Sequence, residues 1–190
     1  MKKPRLVGLT GGIGVGKTTV AKYLAAQYGA LEVAFADPIK VIAKVVLGHD
    51  VPEEEKNSPQ PMLGGMTARQ FYQLVGTDWF VERFGKNIWI NVLERRLGLL
   101  DENALAVVSD VRNISEDAEA TWLRSQGGFI IHLNGPHRRD PGAAHKSNDP
   151  VSFDPRCDVW VDNGTSLAAL YRSIDSVMHE AGIHKEPRNA

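Results

Sequence analysis

The sequence predicts an α/β fold, a five-stranded parallel sheet with helices on both faces, in a single domain spanning residues 1–190. Three observations predict it. Five short apolar runs, RLVGLT, LEVAFA, ALAVVS, FIIHL and DVWV, are near-continuous rather than alternating, as strands are when both sheet faces are covered. Helical patterns lie between several of them. A glycine-rich turn, GGIGVGKT, stands between the first run and the first helix.

Taken in order, the run at 5–10 leads through that turn into KTTVAKYLAAQYG, where Val20, Leu24 and Tyr28 recur at helical spacing and Gly29 is the stop. The second run, at 31–36, precedes FADPIK. Residues 48–66, rich in Pro, Gly and charge, read as a mobile loop. SEDAEATWLRSQGG, with Ser115 as N-cap, reads as the helix before the fourth run. Residues 134–150 form a long polar insertion, the kind that in a compact domain serves as a lid or binding loop. The last helix, TSLAALYRSIDSVMHEAG, carries Leu167, Leu170, Ile174, Val177 and Met178 on one apolar face.

Bulk composition narrows the functional classes. A net charge of −1 gives no basic excess for nucleic-acid binding. No apolar run approaches the ~20 residues of a membrane span, and the first ten residues lack the apolar core of a secretory signal. The one cysteine, Cys157, cannot form an intrachain disulfide and suits a reducing compartment. These features give the expectation of a soluble, cytoplasmic, single-domain protein without nucleic-acid or membrane partners; monomer or homodimer stays open, and the motifs below add the expectation of small-molecule partners.

GGIGVGKT fits G-x-x-x-x-G-K-[ST] through Gly11, Gly16, Lys17 and Thr18. Such a loop turns backbone N–H groups onto the phosphates of ATP, here with Gly11, Gly12, Ile13, Gly14, Val15, Gly16, Lys17, Thr18 and Thr19. Lys17 is the candidate for the β- and γ-phosphates and the Thr18 hydroxyl for Mg²⁺. A dinucleotide-binding reading would need a third glycine where Lys17 stands. Asp110, ending the run ALAVVSD, is the candidate acidic partner of the metal.

The identity of the acceptor turns on charge. A hydroxyl acceptor needs a general base, whereas a phosphate monoester, with a second pKa of about 6, is already ionised. It needs cations instead, to offset repulsion between two anions. Arg69, Arg83, Arg112, Arg138 and Arg139 lie around the expected carboxyl ends of the strands. Phe71, Tyr72, Trp79 and Trp89 offer rings on which a base could stack.

ARQFYQLVGTDWFVERFGKNIWI followed by VVSDVRNISED resembles the phage-type deoxynucleoside monophosphate kinases, P-loop enzymes that use ATP and Mg²⁺. The resemblance covers most of the chain. It includes FADPIK, the R-x₄-L-x-G-T-D stretch (Arg69, Leu74, Gly76, Thr77, Asp78), Trp89, the D-x-R with a following acid (Asp110, Arg112, Glu116) and DNGTSLAALYRSI. It implies a three-layer P-loop kinase fold, with residues 37–90 as a monophosphate-binding insertion and 134–150 as a lid. It further implies substrate contacts from Asp37, Lys40, Arg69, Phe71, Thr77, Asp78, Trp79, Arg83, Trp89, Arg112 and His145. Transfer would be assisted by Lys17, Asp37, Arg112, Arg138 and Arg139, in the host cytoplasm if the gene is a phage's. In the lid, Asn148 stands where the family often has glutamate, with Asp149 one position on.

Two other readings remain open at this level. The turn also resembles the GLTGGIGSGKS-like stretch of dephospho-coenzyme A kinases, whose acceptor is a hydroxyl; Asp37 would then be the natural base. A P-loop switch or assembly ATPase is the other, against which the arginine-bearing insertion argues.

Overall fold

The computed structural model describes residues 5–113, 116–136 and 150–186. Five parallel strands, β1 (Arg5–Thr10), β2 (Leu31–Val33), β3 (Leu105–Val108), β4 (Phe129–Asn134) and β5 (Val159–Asp162), form one sheet in the order β2-β3-β1-β4-β5. Each expected apolar run supplies a strand. β2 is only three residues long because the chain bends into a turn at Ala34 and enters α2 (Asp37–Leu47).

The sheet is covered on both sides, which explains why its strands are not alternating in character. On one face α1 (Lys17–Tyr28) and α7 (Leu167–Glu180) press Val20, Leu24, Leu170, Ile174 and Met178 onto Val7, Leu9, Val107 and Ile131. On the other, Ile39 of α2, Trp89 and Leu93 of α5 (Ile88–Leu97) and Leu123 of α6 (Ala118–Ser125) meet Leu6, Val33, Val108 and Ile130. The expected stop holds: Gly29 adopts a left-handed conformation and its N–H closes on the Leu24 carbonyl.

Between α2 and α5 the chain is mostly helical. α3 (Ala68–Gln73) starts with a capping box, in which Thr67 Oγ1 accepts from Gln70 N and the Gln70 side chain returns to Thr67 N. It runs through a π-helical turn (Leu74–Trp79) into α4 (Phe80–Phe84).

Three local expectations change. Residues 48–66 are an ordered corner rather than an unstructured loop, with 3₁₀ turns at Glu53–Glu55 and Pro61–Leu63. A Pro59–Thr67 bridge and the bond from Arg69 N to Lys56 O tie that corner to α3. α6 begins at Ala118, after Glu116 and Asp117 at positive φ, so the helix starts later than expected; Ser115 lies outside the described residues. On α7, Ser166 Oγ accepts from Ala169 N as the cap, and Leu167, in the first turn, is exposed rather than part of the apolar face.

The strand order after β1 leaves β4 and β5 anchored by a buried polar group. Asp158 accepts from Arg124 at 2.5 Å, bonds His132 Nε2 at 3.0 Å and accepts from Asp154 N at 3.0 Å. Burial pulls the His132 imidazole below its usual pKa although Asp158 opposes this, so the ring is neutral at pH 7.

Among the described residues no helix is long and apolar enough to cross a membrane. Ile174 is fully buried between α1 and the sheet. Ile174→Ala is expected to lower unfolding free energy by about 2–5 kcal/mol, read as a lower midpoint in urea at unchanged slope.

Candidate active site

The candidate site lies beyond the carboxyl ends of β1 and β3, next to where the chain switches from one half of the sheet to the other. Residues 11–16 turn between β1 and α1 with backbone that only glycine tolerates at two points. Gly11 (φ 138°) would place a Cβ 2.5 Å from the Leu133 carbonyl oxygen, and Gly16 (φ 107°) would place one 2.6 Å from Asn163 Nδ2. That Asn163 nitrogen donates to Val15 O at 2.9 Å, so the loop after β5 holds the glycine turn from behind.

Lys17 folds back over the turn, its Nζ donating to the carbonyls of Gly11 (2.7 Å) and Gly12 (2.9 Å). Burial, aided by the charge of Arg112 and opposed by Asp110, lowers its pKa to about 8. An anion arriving in the turn would favour the ammonium form and pull the side chain from its carbonyls.

Asp110 follows β3. Its Oδ1 accepts from Phe35 N at 2.8 Å and its Oδ2 from Ala36 N at 3.0 Å, fastening the start of α2 to the centre of the sheet. Two residues on, Arg112 N donates to Glu119 Oε2 at 2.8 Å. Burial, with the nearby charge of Asp110, pushes the Glu119 carboxyl well above its usual pKa despite that bond and the Arg112 charge. The further this shift favours the neutral carboxyl, the less Glu119 offsets the positive charge of Arg112.

These groups open on one cavity of ≈ 620 Å³. One end is the glycine turn, through Ile13, Gly14, Gly16, Lys17, Thr18 and Thr19; Ser109, Asp110, Arg112 and Glu119 form the middle. The far end is α2, the 3₁₀ corner and α3, through Lys40, Glu53, Lys56, Arg69, Tyr72 and Gln73, with Ile39, Gly76, Thr77 and Trp89 along the wall. Burial alone would raise the Glu53 carboxyl, but its ion pair with Lys56 and the charges of Arg69 and Lys40 hold it below the usual range. The far end is therefore a dense group of cations with one ionised acid. Arg69 Nε also donates to Asn57 Oδ1 at 2.8 Å, which fixes the plane of its guanidinium.

Of the sequence-derived residues, the cavity gathers the turn residues Ile13, Gly14, Gly16 and Thr19 with Lys17, Thr18, Lys40, Arg69, Thr77, Trp89, Asp110 and Arg112. Others stand elsewhere. Asp37 is not in the wall: its carboxylate accepts from Ala34 N at 3.0 Å and pairs with Arg96 at 2.7 Å and Lys40 at 3.3 Å. Trp79 is half-exposed and packs edge-on against Phe80 and Phe84, because the π turn carries it to the outer side of its helix. Phe71, Asp78 and Arg83 are also absent from the wall, Arg83 being exposed on the last turn of α4. Gly11, Gly12 and Val15 support the turn from beneath, Val15 being buried. Arg138, Arg139 and His145 lie outside the described residues.

Sequence reasoning missed Glu53, Lys56 and Glu119. The first two sat in the segment read as a mobile loop. Glu119 had a signal, since it stands one turn before Leu123 on the buried face of α6. The acid singled out instead, Glu116, is exposed and pairs with Lys86 at 3.2 Å.

Comparison with known proteins decides the family. The model of the deoxynucleotide monophosphate kinase family matches residues 62–174, more than half of the chain. The chain belongs to the deoxynucleotide monophosphate kinase family. A putative deoxynucleotide monophosphate kinase from Acanthamoeba polyphaga mimivirus is 31% identical over 195 aligned residues, covering 93% of this chain and 97% of the relative. Solved structures share the fold at lower identity. A gluconokinase from Sinorhizobium meliloti matches with TM-score 0.52 at 16% identity over 95% of both chains. A shikimate kinase from Aquifex aeolicus matches with TM-score 0.51 at 13% identity, over 93% of this chain and 98% of the other.

This family member is thus a P-loop kinase, a phosphotransferase that moves a phosphoryl group from ATP to a small molecule. The lowered pKa of Lys17 makes a proton-linked prediction. At pH 8, where Lys17 is about half protonated, binding of ATP should take up about half a proton. Calorimetry in buffers of different ionisation enthalpy measures this, and the uptake should vanish near pH 6.

Proposed function

We propose that this kinase converts deoxynucleoside monophosphates and ATP to the diphosphates and ADP. The family match and the viral relative's description support the acceptor class. The observation that carries the reading is the group of cations at the far end of the cavity. Asp37, which the hydroxyl-acceptor reading would use as base, is turned out of the wall into an ion pair with Arg96. Of the carboxylates that do line the wall, Glu32, Glu53, Asp110 and Glu119, Glu53 is paired with Lys56 while Asp110 and Glu119 accept backbone N–H bonds. The cavity instead offers Lys40, Lys56 and Arg69 opposite the glycine turn, with Arg112 between. Two anion sites facing each other suit a phosphate acceptor, which needs charge compensation more than deprotonation.

In this reading the triphosphate lies on residues 11–19, and Lys17 exchanges its loop carbonyls for the β- and γ-phosphates. The monophosphate lies against Arg69, Lys40 and Lys56. One of its oxygens attacks the γ-phosphorus in line as the bond to the β–γ bridging oxygen breaks, and ADP carries away the electron pair. Lys17 and Arg112 flank the transferred group. The lid arginines, Arg138 and Arg139, are assigned the same task by the family resemblance.

Mg²⁺ belongs to this chemistry, where it neutralises phosphate charge. The residues present fit it. Among the described residues no cluster of three or more His, Cys, Asp or Glu side chains could cage a metal. A hydroxyl, Thr18, and a carboxylate, Asp110, share the cavity wall, which suits a cation that keeps its waters and takes most ligands from phosphates. Each Asp110 oxygen accepts one backbone N–H and retains a lone pair for a metal-bound water.

A coupled ADP-release assay across all deoxynucleoside and ribonucleoside monophosphates, with dephospho-coenzyme A, gluconate and shikimate as controls, tests the acceptor. Turnover of a control and of no nucleotide would overturn the reading. Asp37→Asn should hold kcat within about tenfold, whereas loss of a general base costs about 10²–10⁴. Arg69→Ala should raise KM for the monophosphate by about 10- to 100-fold with KM for ATP little changed.

A further inference from the structure

The wall of the acceptor end contains an irregularity that the reaction as described does not use. From Arg69 the cavity-lining positions run 69, 72, 73 and 76, the one-face spacing of an α-helix. Thr77 also lines the cavity and is buried. In an uninterrupted α-helix, at about 100° per residue, Thr77 would stand about 80° round from Arg69, at the edge of that face. The π turn at Leu74–Trp79 takes less rotation per residue and brings Thr77 back onto the face.

A π turn disrupts the ordinary carbonyl ladder and needs outside support. Here Trp89 Nε1 donates to Gly76 O at 2.6 Å, in a buried bond between α5 and the turn. From the other side Ile39 packs so closely on Gly76 that a Cβ there would collide with its Cδ1. The Trp89 ring is itself held by Phe80, 4.9 Å between centroids. Trp89, Gly76 and Ile39 therefore grip the turn whose next residue is Thr77.

We propose that Trp89 is a positioning residue for the acceptor: its indole N–H holds the π turn that aims the Thr77 hydroxyl into the monophosphate end of the cavity. This rests on the acceptor reading above. It differs from the role expected of Trp89 as a ring for stacking a base, because its effect passes through Gly76 and Thr77 rather than through its own π face.

Trp89→Phe separates the two roles, since phenylalanine keeps a ring and lacks the N–H. The measurements are KM for the best monophosphate, KM for ATP, kcat and thermal midpoint, for Trp89→Phe, Thr77→Val and the double variant. The expected result is a rise of about three- to tenfold in monophosphate KM in each single variant, with ATP KM unchanged. The double variant should be no worse than the worse single, because both act through one hydroxyl. Additive losses, or a Trp89→Phe enzyme with normal monophosphate KM, would overturn the proposal. If Trp89→Phe does not fold, Thr77→Val decides: a normal monophosphate KM overturns the proposal, and a raised one supports the hydroxyl's role that it requires. Failure of the acceptor reading looks different, since the unaltered enzyme would then turn over no nucleotide at all.

Discussion

The Asp110 carboxylate is the joint on which both halves of the site depend. Its two oxygens hold Phe35 N and Ala36 N, the last amides before α2, and its backbone continues β3 beside the glycine turn of β1. Ser109 N adds a bond to Val33 O and Val111 N one to Leu9 O, so the ends of three neighbouring strands are locked in one register. α2 carries Ile39 and Lys40 into the cavity, and α1 carries Lys17 and Thr18. The distance between donor and acceptor is therefore set by backbone bonds to one carboxylate. A buried amide left without its acceptor costs about 1–3 kcal/mol, so this joint resists loosening. Phosphoryl transfer needs such fixity, because most of the barrier lowering comes from placement and charge.

The sheet was legible in the sequence because its strands are covered on both faces and so read as continuous apolar runs. The glycine turn was legible because Gly11 and Gly16 meet backbone and side-chain atoms that leave no room for a Cβ. Side-chain direction was harder to read. Asp37 follows β2 where a functional acid could stand, yet Arg96, almost sixty positions on, turns it aside. Trp79 and Trp89 looked equivalent as aromatic residues. Trp79 is half-exposed because a π turn shifts the helical phase between α3 and α4, whereas Trp89 is buried on the core face of α5. Period counting cannot detect that shift, since propensity does not encode an extra residue in one turn. The corner at 48–66 failed for a related reason. Its composition is that of a loop, but its order comes from Thr67, Gln70 and Arg69, which close bonds back onto it or onto α3.

The charges around the cavity are not a simple positive lining. Glu53 is paired with Lys56, Lys40 with Asp37, and Glu119 leans toward its neutral form beside Arg112. Without such partners, a group of cations in a partly closed cavity would repel one another in the empty protein. With them, each lysine has an acid or a carbonyl to hold until an anion arrives. Lys17 shows the limiting case: it lies on two carbonyls, and burial together with the charge of Arg112 lowers its pKa to about 8 although Asp110 opposes this.

That arrangement makes the empty site self-compensated and the filled site dependent on both anions. In the proposed function an ATP phosphate would draw Lys17 away from Gly11 and Gly12 and favour its ammonium form, strengthening the field in the middle of the cavity. In that function a monophosphate would compete with Glu53 for Lys56, and with Asp37 for Lys40, at the far end. The backbone around these lysines is held independently of them: Asp110 accepts from two amides, Glu119 from the Arg112 amide, and Trp89 donates to the Gly76 carbonyl. Long, flexible cation stems on a frame fixed by backbone bonds are what the proposed transfer between two like-charged substrates would require, since charge must move to meet each anion while the placement of the reacting groups is kept.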